Sequence, residues 1–134
     1  MFLGTYDSVI NEKNRMTLPS RVVKHFTKKQ LVVGKGFEAC IYGYALDAWE
    51  KQTQEYIDAP LLDKKARGVR RFIFSNSIVI SCDKQSRIVI PPFLADYAKL
   101  KKEITIIGSG DHFEIWDRTL WKEYEKYENT LPLS

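Results

Sequence analysis

The sequence contains few of the residues on which metal and cofactor chemistry depend. Its 134 residues include two cysteines and two histidines. Cys40 and Cys82 lie far apart and form no CxxC pair, which favours reduced thiols on strands. Neither His25 nor His112 stands at metal-ligand spacing from other ligand residues, and no Ser-His-Asp or Cys-His set is indicated. We therefore expect no metal and no cofactor.

Long apolar runs are also missing. No stretch approaches the roughly 20 apolar residues that a membrane-spanning helix needs. The N-terminal segment MFLGTYDSV lacks the basic flank and apolar core of a signal peptide. We expect a cytoplasmic protein without a membrane partner. The net charge of +4 permits an anionic partner but does not require one.

Motifs of catalysis and nucleotide binding are scarce as well. The Gly-x-Gly segments at 34–36 and 108–110 are too short to cradle a phosphate, so they indicate hairpin turns. A small hydrolase or an RNA-modifying enzyme would have to use acidic side chains and one histidine between which the sequence shows no pairing; these are Asp83, Asp111, Asp117 and His112. We expect no enzymatic activity and no small-molecule substrate.

What the sequence does contain is an internal repeat. The segment NEKNRMTLP at 11–19 returns as DKQSRIVIP at 83–91, each residue numbered 72 higher. Both copies have a turn-forming Asn or Asp, three polar residues, an Arg, three strand residues and a Pro. An apolar run, a Gly-x-Gly segment, a strand and a Trp-bearing helix follow each copy, with the offset drifting by two residues at the glycines. The repeat indicates that the chain is built from two similar structural units.

The pattern of residues predicts the elements of each half. Residues 2–18 read as a hairpin with the polar turn at its tip, and Pro19 begins a helix. Asp47 is expected to cap or open a helix from Ala48 to Ile57, and Asp117 to cap a helix from Leu120 to about Glu128. Between the halves, a basic amphipathic helix from Leu61 to about Phe74 has no counterpart in the second half.

Taken together, these features resemble the MraZ family of bacterial transcriptional regulators, which control the cell-division and cell-wall gene cluster. The resemblance covers nearly the whole chain. It rests on the N-terminal Met1-Phe2 and Gly4, the two D/N-x-x-x-R motifs, Pro19 and Pro91, the basic connector, and Glu114-Ile115-Trp116-Asp117 with Trp121. The second motif, from Asp83 to Arg87, matches the family's D-x-x-x-R pattern, whereas the first has Asn11 in place of Asp.

The resemblance implies an α+β fold of two tandem AbrB-like β/α repeats. A pseudo-two-fold would relate the repeats, which would share a small β-barrel with helices packed outside. We expect an N-terminal repeat at 1–58, a connector helix at 59–75 and a C-terminal repeat at 76–134, forming one intertwined unit.

The resemblance also implies a function. It implies a nucleoid-associated homo-oligomer, a ring, that binds repeated operator elements in double-stranded DNA. The candidate DNA-binding residues are those of the duplicated loops: Asn11, Lys13, Arg15, Asp83, Lys84 and Arg87. An Arg in such a loop suits phosphates and guanine edges, and a neighbouring Lys suits phosphates.

Several alternatives stay open at this point. Each Arg could instead pair with its own turn carboxylate and only shape the loop. If the carboxylate holds the loop, Asn11 holds it more weakly; if only a turn residue is needed, Asn serves equally well. The basic helix 64–71 could contact DNA, form a solvated face, or meet Glu50 and Glu55 of another subunit.

The aromatic side chains could form a stacking platform or act as core and subunit anchors; they are Trp49, Trp116, Trp121, Tyr42, Tyr124 and Tyr127. A ring-forming interaction protein that does not read DNA is the second functional hypothesis.

Overall fold

The structure, a computed structural model, describes residues 1–132. Within them the chain forms eight strands and six α-helices. The strands are β1 (Thr5–Val9), β2 (Arg15–Thr17), β3 (Gln30–Lys35), β4 (Ile41–Ala45), β5 (Ser77–Ser81), β6 (Arg87–Val89), β7 (Glu103–Gly108) and β8 (Phe113–Asp117). The helices are α1 (Ser20–Val23), α2 (Leu46–Gln52), α3 (Gln54–Asp58), α4 (Lys64–Ser75), α5 (Pro92–Tyr97) and α6 (Arg118–Glu128).

The two halves of the chain are interlaced through their strands. A six-stranded sheet has the order β1-β7-β8-β4-β3-β5, and β2 and β6 form a second sheet. Exchanging β1–β4 with β5–β8 reverses the first order and leaves the β2/β6 pair unchanged, so a pseudo-two-fold relates the halves. The predicted α+β fold of two tandem AbrB-like repeats is confirmed, and its shared barrel takes the form of these two sheets around one core.

The prediction that residues 2–18 form a hairpin is wrong, because β1 and β2 do not form a ladder with each other. β1 pairs along its length with β7 of the other half, and β2 pairs with β6. The two arms of the turn are joined by an isolated bridge between Ile10 and Met16 and by a hydrogen bond from the Ser8 hydroxyl to the Thr17 carbonyl oxygen at 3.1 Å. The alternation of polar and apolar residues determines which face of a strand is buried, but it does not determine which strand lies beside it.

The strand register also corrects the alignment of the repeats. Thr5 is paired with Ile107, and its counterpart Ser77 is paired with Gly34. Gly34 therefore corresponds to Ile107, and the two Gly-x-Gly segments are out of step by one residue. In the central pair β4/β8, Tyr42 lies opposite Glu114 at the pseudo-two-fold.

One hydrophobic core lies between the two sheets and is shared by both halves. Met16 and Ile88 enter it from the two-stranded sheet, and Phe113 and Ile115 from the six-stranded one. The short helices α1 and α5 contribute further buried apolar side chains, among them Val22, Leu94 and Ala98. Because neither half encloses this core alone, each depends on the other for burial of its apolar surface.

The remaining helices cover the opposite, outer face of the six-stranded sheet. On this face Trp116 packs against Trp121 and Tyr124 of α6, and Trp49 of α2 packs against Phe74 of α4. The predicted helix from Ala48 to Ile57 is in fact two helices. Thr53 stands at their junction, and its hydroxyl donates to the Trp49 carbonyl oxygen at 2.7 Å.

The predicted cap is present in α6 and absent in α2, and the start of the connector helix α4 is displaced. Asp117 caps α6 as expected, its carboxylate accepting from the Leu120 N–H at 3.2 Å. Asp47 does not cap α2, which begins at Leu46 after the N-cap residue Ala45. The connector helix begins at Lys64 rather than Leu61, because Asp63 caps it by accepting from the Lys65 and Ala66 N–H groups.

Candidate nucleic-acid interface

The first repeated loop is a compact turn organised by the side chain of Asn11. Its Oδ1 accepts hydrogen bonds from the backbone N–H groups of Lys13 (3.0 Å) and Arg15 (2.9 Å). The Asn11 N–H in turn donates to the Arg15 carbonyl oxygen at 3.0 Å. Asn14 completes the turn with a φ of 59°, a left-handed conformation that Asn tolerates better than most residues. The side chain at position 11 therefore holds the loop shut.

The second loop repeats this geometry with a carboxylate. Asp83 Oδ1 accepts from the Gln85 (2.9 Å) and Arg87 (2.8 Å) N–H groups. Ser86 takes the left-handed position with a φ of 62°. An amide oxygen and a carboxylate oxygen thus hold the backbone in the same way. The structure favours the interpretation that Asn serves equally well as the turn residue.

The Asp83 carboxylate also binds the side chain of Arg87, which the Asn11 amide does not do for Arg15. Asp83 Oδ2 forms an ion pair with Arg87 Nε at 2.8 Å, whereas no salt bridge to Arg15 is found within residues 1–132. The hydrogen bond from the Arg87 backbone N–H, together with the bond and charge of its side chain, lowers the pKa of Asp83 below its ordinary value. Arg87 is therefore partly held by its own loop, and Arg15 is exposed.

The two loops are also joined to each other across the pseudo-two-fold. The Leu18 N–H donates to the Ser86 carbonyl oxygen, and the Ile90 N–H to that of Asn14, both at 2.8 Å. Between these bonds, Met16 and Ile88 face each other and are buried. We call residues 11–18 and 83–90 the twin-loop ribbon. Because its inner side chains are part of the core, the ribbon is fixed to the body of the protein.

The outer face of the twin-loop ribbon presents the two arginines together. Arg15 lies opposite Val89, and Arg87 lies opposite Thr17. The arginines are therefore diagonal neighbours on one face, where such residues lie roughly 7–8 Å apart. The loops also carry exposed Lys13 and Lys84. Each loop has two basic side chains and one acidic one, so the ribbon has a positive formal charge.

The basic helix α4 uses some of its cations within the chain. Arg67 Nη1 donates to the Leu61 carbonyl oxygen at 2.7 Å, and Arg70 Nη1 to that of Ile57 at 3.4 Å. These bonds anchor the segment between α3 and α4. Lys64 and Arg71 are exposed. The helix thus has a structural task, and contact with DNA is one of the alternatives that the sequence left open for its exposed cations.

A cluster of ionisable groups that the sequence did not reveal lies at the start of β8. His112 contacts two carboxylates: its Nδ1 lies 2.7 Å from Asp111 Oδ1 and its Nε2 lies 3.0 Å from Glu114 Oε2. Trp116 Nε1 donates to the other oxygen of Glu114 at 2.8 Å. The alternation of residues 112, 114 and 116 along one strand face is the signal that could have indicated this cluster.

The charge of His112 follows from these neighbours. Burial by itself would lower the pKa of His112, but the hydrogen bonds and negative charges of Glu114 and Asp111 outweigh burial and raise it. The structure thus pairs the Asp111 and His112 that the sequence left unpaired. Within residues 1–132, no group of three His, Cys, Asp or Glu side chains is arranged to hold a metal ion.

The other residues considered in the sequence have structural surroundings. Cys40 and Cys82 are both buried and unpaired, and burial raises the pKa of each thiol. The His25 ring lies edge-on to Phe2 with centroids 4.8 Å apart, and burial lowers its pKa. The tryptophans pack between sheet and helices, as expected of anchors. In the part of the chain that the structure describes, no helix is long and apolar enough to span a bilayer.

A family model described as "MraZ protein, putative antitoxin-like" matches the chain twice, over residues 1–72 and 73–134. Both matches together cover the whole sequence, and each contains one loop of the twin-loop ribbon.

Proposed function

Because the chain belongs to the MraZ family, we propose that it is a sequence-specific DNA-binding transcriptional regulator of the cell-division and cell-wall gene cluster. In this proposal the chain forms a ring of protomers in the nucleoid, and each protomer binds an element of a repeated operator through its twin-loop ribbon. It acts by binding, without catalysis or a small-molecule substrate.

The observation that carries the proposal is the paired presentation of Arg15 and Arg87. A two-stranded ribbon fits the major groove of B-DNA, which is about 12 Å wide. An Arg there donates in bidentate fashion to O6 and N7 of guanine, and Lys13 and Lys84 at the loop tips would contact phosphates. The fixed attachment of the ribbon supports this role, since little conformational entropy is lost when a rigid element binds.

A ring would strengthen the binding of each ribbon. When several ribbons engage neighbouring repeats, the later contacts become intramolecular, which raises the apparent affinity by about 10²-fold or more. Repeated operator elements are the kind of target that such an arrangement recognises. Loss of the ring would therefore weaken DNA binding while leaving the protomer folded.

The second candidate is a ring-forming interaction protein without DNA-reading activity. It is favoured by the apolar surface beside α4, where Leu61 and Leu62 are exposed. The basic side chains of α4 beside these leucines could meet acidic residues of another copy. This candidate predicts that the loop arginines are dispensable for any binding activity.

The test is a mobility shift with DNA from upstream of the protein's own coding sequence, at fixed salt. We expect the Arg15→Ala/Arg87→Ala variant to bind at least about 100-fold more weakly, since two base or phosphate contacts are lost. The matched control is Lys122→Ala/Lys126→Ala on α6, which removes the same charge from a site far along the chain from the loops and should change affinity little. Thermal unfolding and sedimentation of the same samples check fold and assembly.

Each outcome has a defined meaning. An equal loss of DNA affinity in both variants would mean that only the net charge of the protein matters. That result would argue against base recognition by the twin-loop ribbon. Unchanged binding by the arginine variant would move the DNA site elsewhere, most directly to α4. Absence of binding by the parent at low salt would support the interaction-ring candidate.

A further inference from the structure

The connector between the two halves leaves an apolar groove open to solvent. The groove has a volume of about 650 Å³ and is lined by residues from the end of α3, from the segment that follows and from one face of α4. Its apolar lining residues are Ile57, Leu61 and Phe74. Leu61 is 66% exposed and Ile57 is 42% exposed. We call this feature the connector groove. A patch of exposed apolar side chains is typical of a surface that a partner covers.

The rim of the connector groove carries charge of one sign. Arg67, Arg70 and Arg71 line it, and none of its lining residues is a carboxylate. Arg67 donates to the carbonyl oxygen of Leu61, and Arg70 donates to that of Ile57. These bonds hold two guanidinium groups beside the groove without neutralising them. Within residues 1–132, no salt bridge involves a cation of α4.

The helices around the connector groove do not reverse this charge. From the start of α3 to the end of α4, residues 54–75 contain five cations and three carboxylates. Asp63 is engaged in capping α4, and Asp58 accepts a hydrogen bond from the Gln54 amide at 3.0 Å. The third carboxylate, Glu55, lines a different pocket. The connector groove therefore favours a partner segment in which carboxylates flank apolar side chains.

The C-terminal end of α6 has the complementary apolar side chains. Tyr127 is 55% exposed and Leu131 is 43% exposed. The N–H groups of Thr130 and Leu131 donate to the carbonyl oxygens of Tyr127 and Glu128, which continues the helix by one turn. Because Tyr127 and Leu131 are four residues apart, they lie on one side of this turn.

Acidic side chains flank these two residues. Residues 123–131 contain three glutamates and one lysine, all of them exposed: Glu123, Glu125, Glu128 and Lys126. In the part of the chain that the structure describes, none of these glutamates forms a salt bridge. The end of α6 thus combines an exposed apolar pair with an excess of negative charge.

We propose that the connector groove of one copy of the chain binds the end of α6 of a second copy. Tyr127 and Leu131 of the second copy pack on the apolar floor of the groove, and the removal of this apolar surface from water supplies affinity. The glutamates of the second copy face the arginines of the rim. This pairing of opposite charges fixes the orientation of the bound segment.

The contact joins two unlike surfaces, of which each copy has one. The connector has no counterpart in the second half, so the groove occurs once in each chain. A contact between unlike surfaces repeats from copy to copy, and it closes into a ring when the rotation between copies closes. In this respect the contact rests on the proposed function, which assumes a ring, and it assigns the surfaces that build the ring.

Sedimentation velocity of the full chain, without DNA, measures the contact. We expect the parent to assemble, and Leu61→Asp and Leu131→Arg each to raise the dissociation constant by about 30-fold or more, as at central interface residues. Leu61→Asp occupies the arginines with a carboxylate, and Leu131→Arg brings a cation against them. Both side chains are exposed, so each variant should keep the fold, which circular dichroism checks. The matched control is Leu62→Asp, because Leu62 is 95% exposed and lies outside the groove lining. This control should leave the assembly unchanged.

Mixing the two variants tests whether unlike surfaces meet. Leu61→Asp retains an intact α6 end, and Leu131→Arg retains an intact groove. An equimolar mixture should therefore form pairs that contain one chain of each variant, and association should stop at two chains. A contact in which each surface meets its own copy would not be restored by mixing. Failure of the mixture to associate, or unchanged assembly of either variant alone, would overturn the proposal.

DNA binding is measured separately, so that the contact and the proposed function can fail independently. A parent that assembles but does not bind operator DNA would contradict the DNA-reading function and support the contact. A parent that sediments as a single chain, at low salt and high protein concentration, would overturn the contact. Weakened DNA binding by Leu61→Asp with unchanged assembly would assign the α4 arginines to DNA and would equally overturn it.

Discussion

Asn11 and Asp83 occupy the same position in the two loops, and their side chains differ in one group, an amide nitrogen in place of a carboxylate oxygen. The oxygen that holds the backbone is common to both. The other oxygen of Asp83 binds Arg87 and so competes with any external anion for that side chain. The chain therefore has two loops of one shape, in which one arginine is exposed and the other is engaged.

This difference predicts the effect of Asp83→Asn. The loop should keep its conformation, because Asn11 shows that an amide holds it, while Arg87 becomes available and one negative charge is lost. If the ribbon binds DNA, affinity should rise and the plot of log affinity against log salt should steepen by about one unit. The measurement is operator binding at several salt concentrations. A weakened affinity in the folded variant would show that Arg87 needs its carboxylate.

Acid unfolding provides the control for the same variant. The pKa of Asp83 is lower in the folded protein than in the unfolded chain, so its stabilising contribution is present above the ordinary value of 3.8. The contribution is lost as the pH falls through the lowered pKa. The stability advantage of the parent over Asp83→Asn should therefore shrink below pH 3.8.

At the scale of elements, β4 and β8 pack closely against each other at Gly43. Gly43 of β4 lies opposite Phe113 of β8, and the ring occupies the space where a side chain at 43 would stand. Gly68 in α4 has open space around it. One glycine thus permits close packing of strands, and the other is a helix-interior residue without a packing role.

Opposite effects are expected from the same substitution at these two sites. Gly43→Ala would overlap with the Phe113 ring, and such overpacking typically costs about 1–3 kcal/mol. Gly68→Ala should stabilise by about 0.5–1 kcal/mol, since alanine favours the helix. Urea unfolding of both variants measures the difference. Equal stability of Gly43→Ala and the parent would mean that the sheet can shift at its centre.

Elements are also the level at which sequence-based prediction succeeds and fails. The repeat, the helix starts at Pro19 and Asp117, and the polar turns follow from local residue chemistry, and the structure has them. The partners of β1 and β2 did not follow, because β1 pairs with residues 94–102 positions away and β2 with residues 70–74 positions away. The His112 cluster was missed for a related reason: three residues on one strand face form a network only when neighbouring strands enclose them.

For the molecule as a whole, interlacing means that the halves are not independent. β1 completes the sheet of the second half, and β5 completes that of the first. The connection between them runs through Pro60 and Leu61, which are exposed. The peptide bond between Pro60 and Leu61 therefore lies outside the strand ladders and outside the hydrophobic core.

A chain divided between Pro60 and Leu61 should therefore reassemble. Fragments 1–60 and 61–134, produced together, are expected to copurify and to unfold in one transition, because each buries its apolar surface only against the other. Produced separately, each should remain unfolded or self-associate. A separate fragment that is monomeric and shows cooperative unfolding would contradict this expectation. Circular dichroism and sedimentation give the readouts.

The pair of Tyr42 and Glu114 at the pseudo-two-fold shows how the two repeats of a fused chain can come to differ in sequence. If two identical half-length chains met at this axis, the same residue would face itself, and two glutamates would stand about 5 Å apart in repulsion. Covalent fusion removes that constraint, since each axial position is then encoded twice and can mutate separately. One copy has become an aromatic and the other an acid that binds His112. A tandem protein can thus acquire a feature on one side only, which a symmetric dimer cannot.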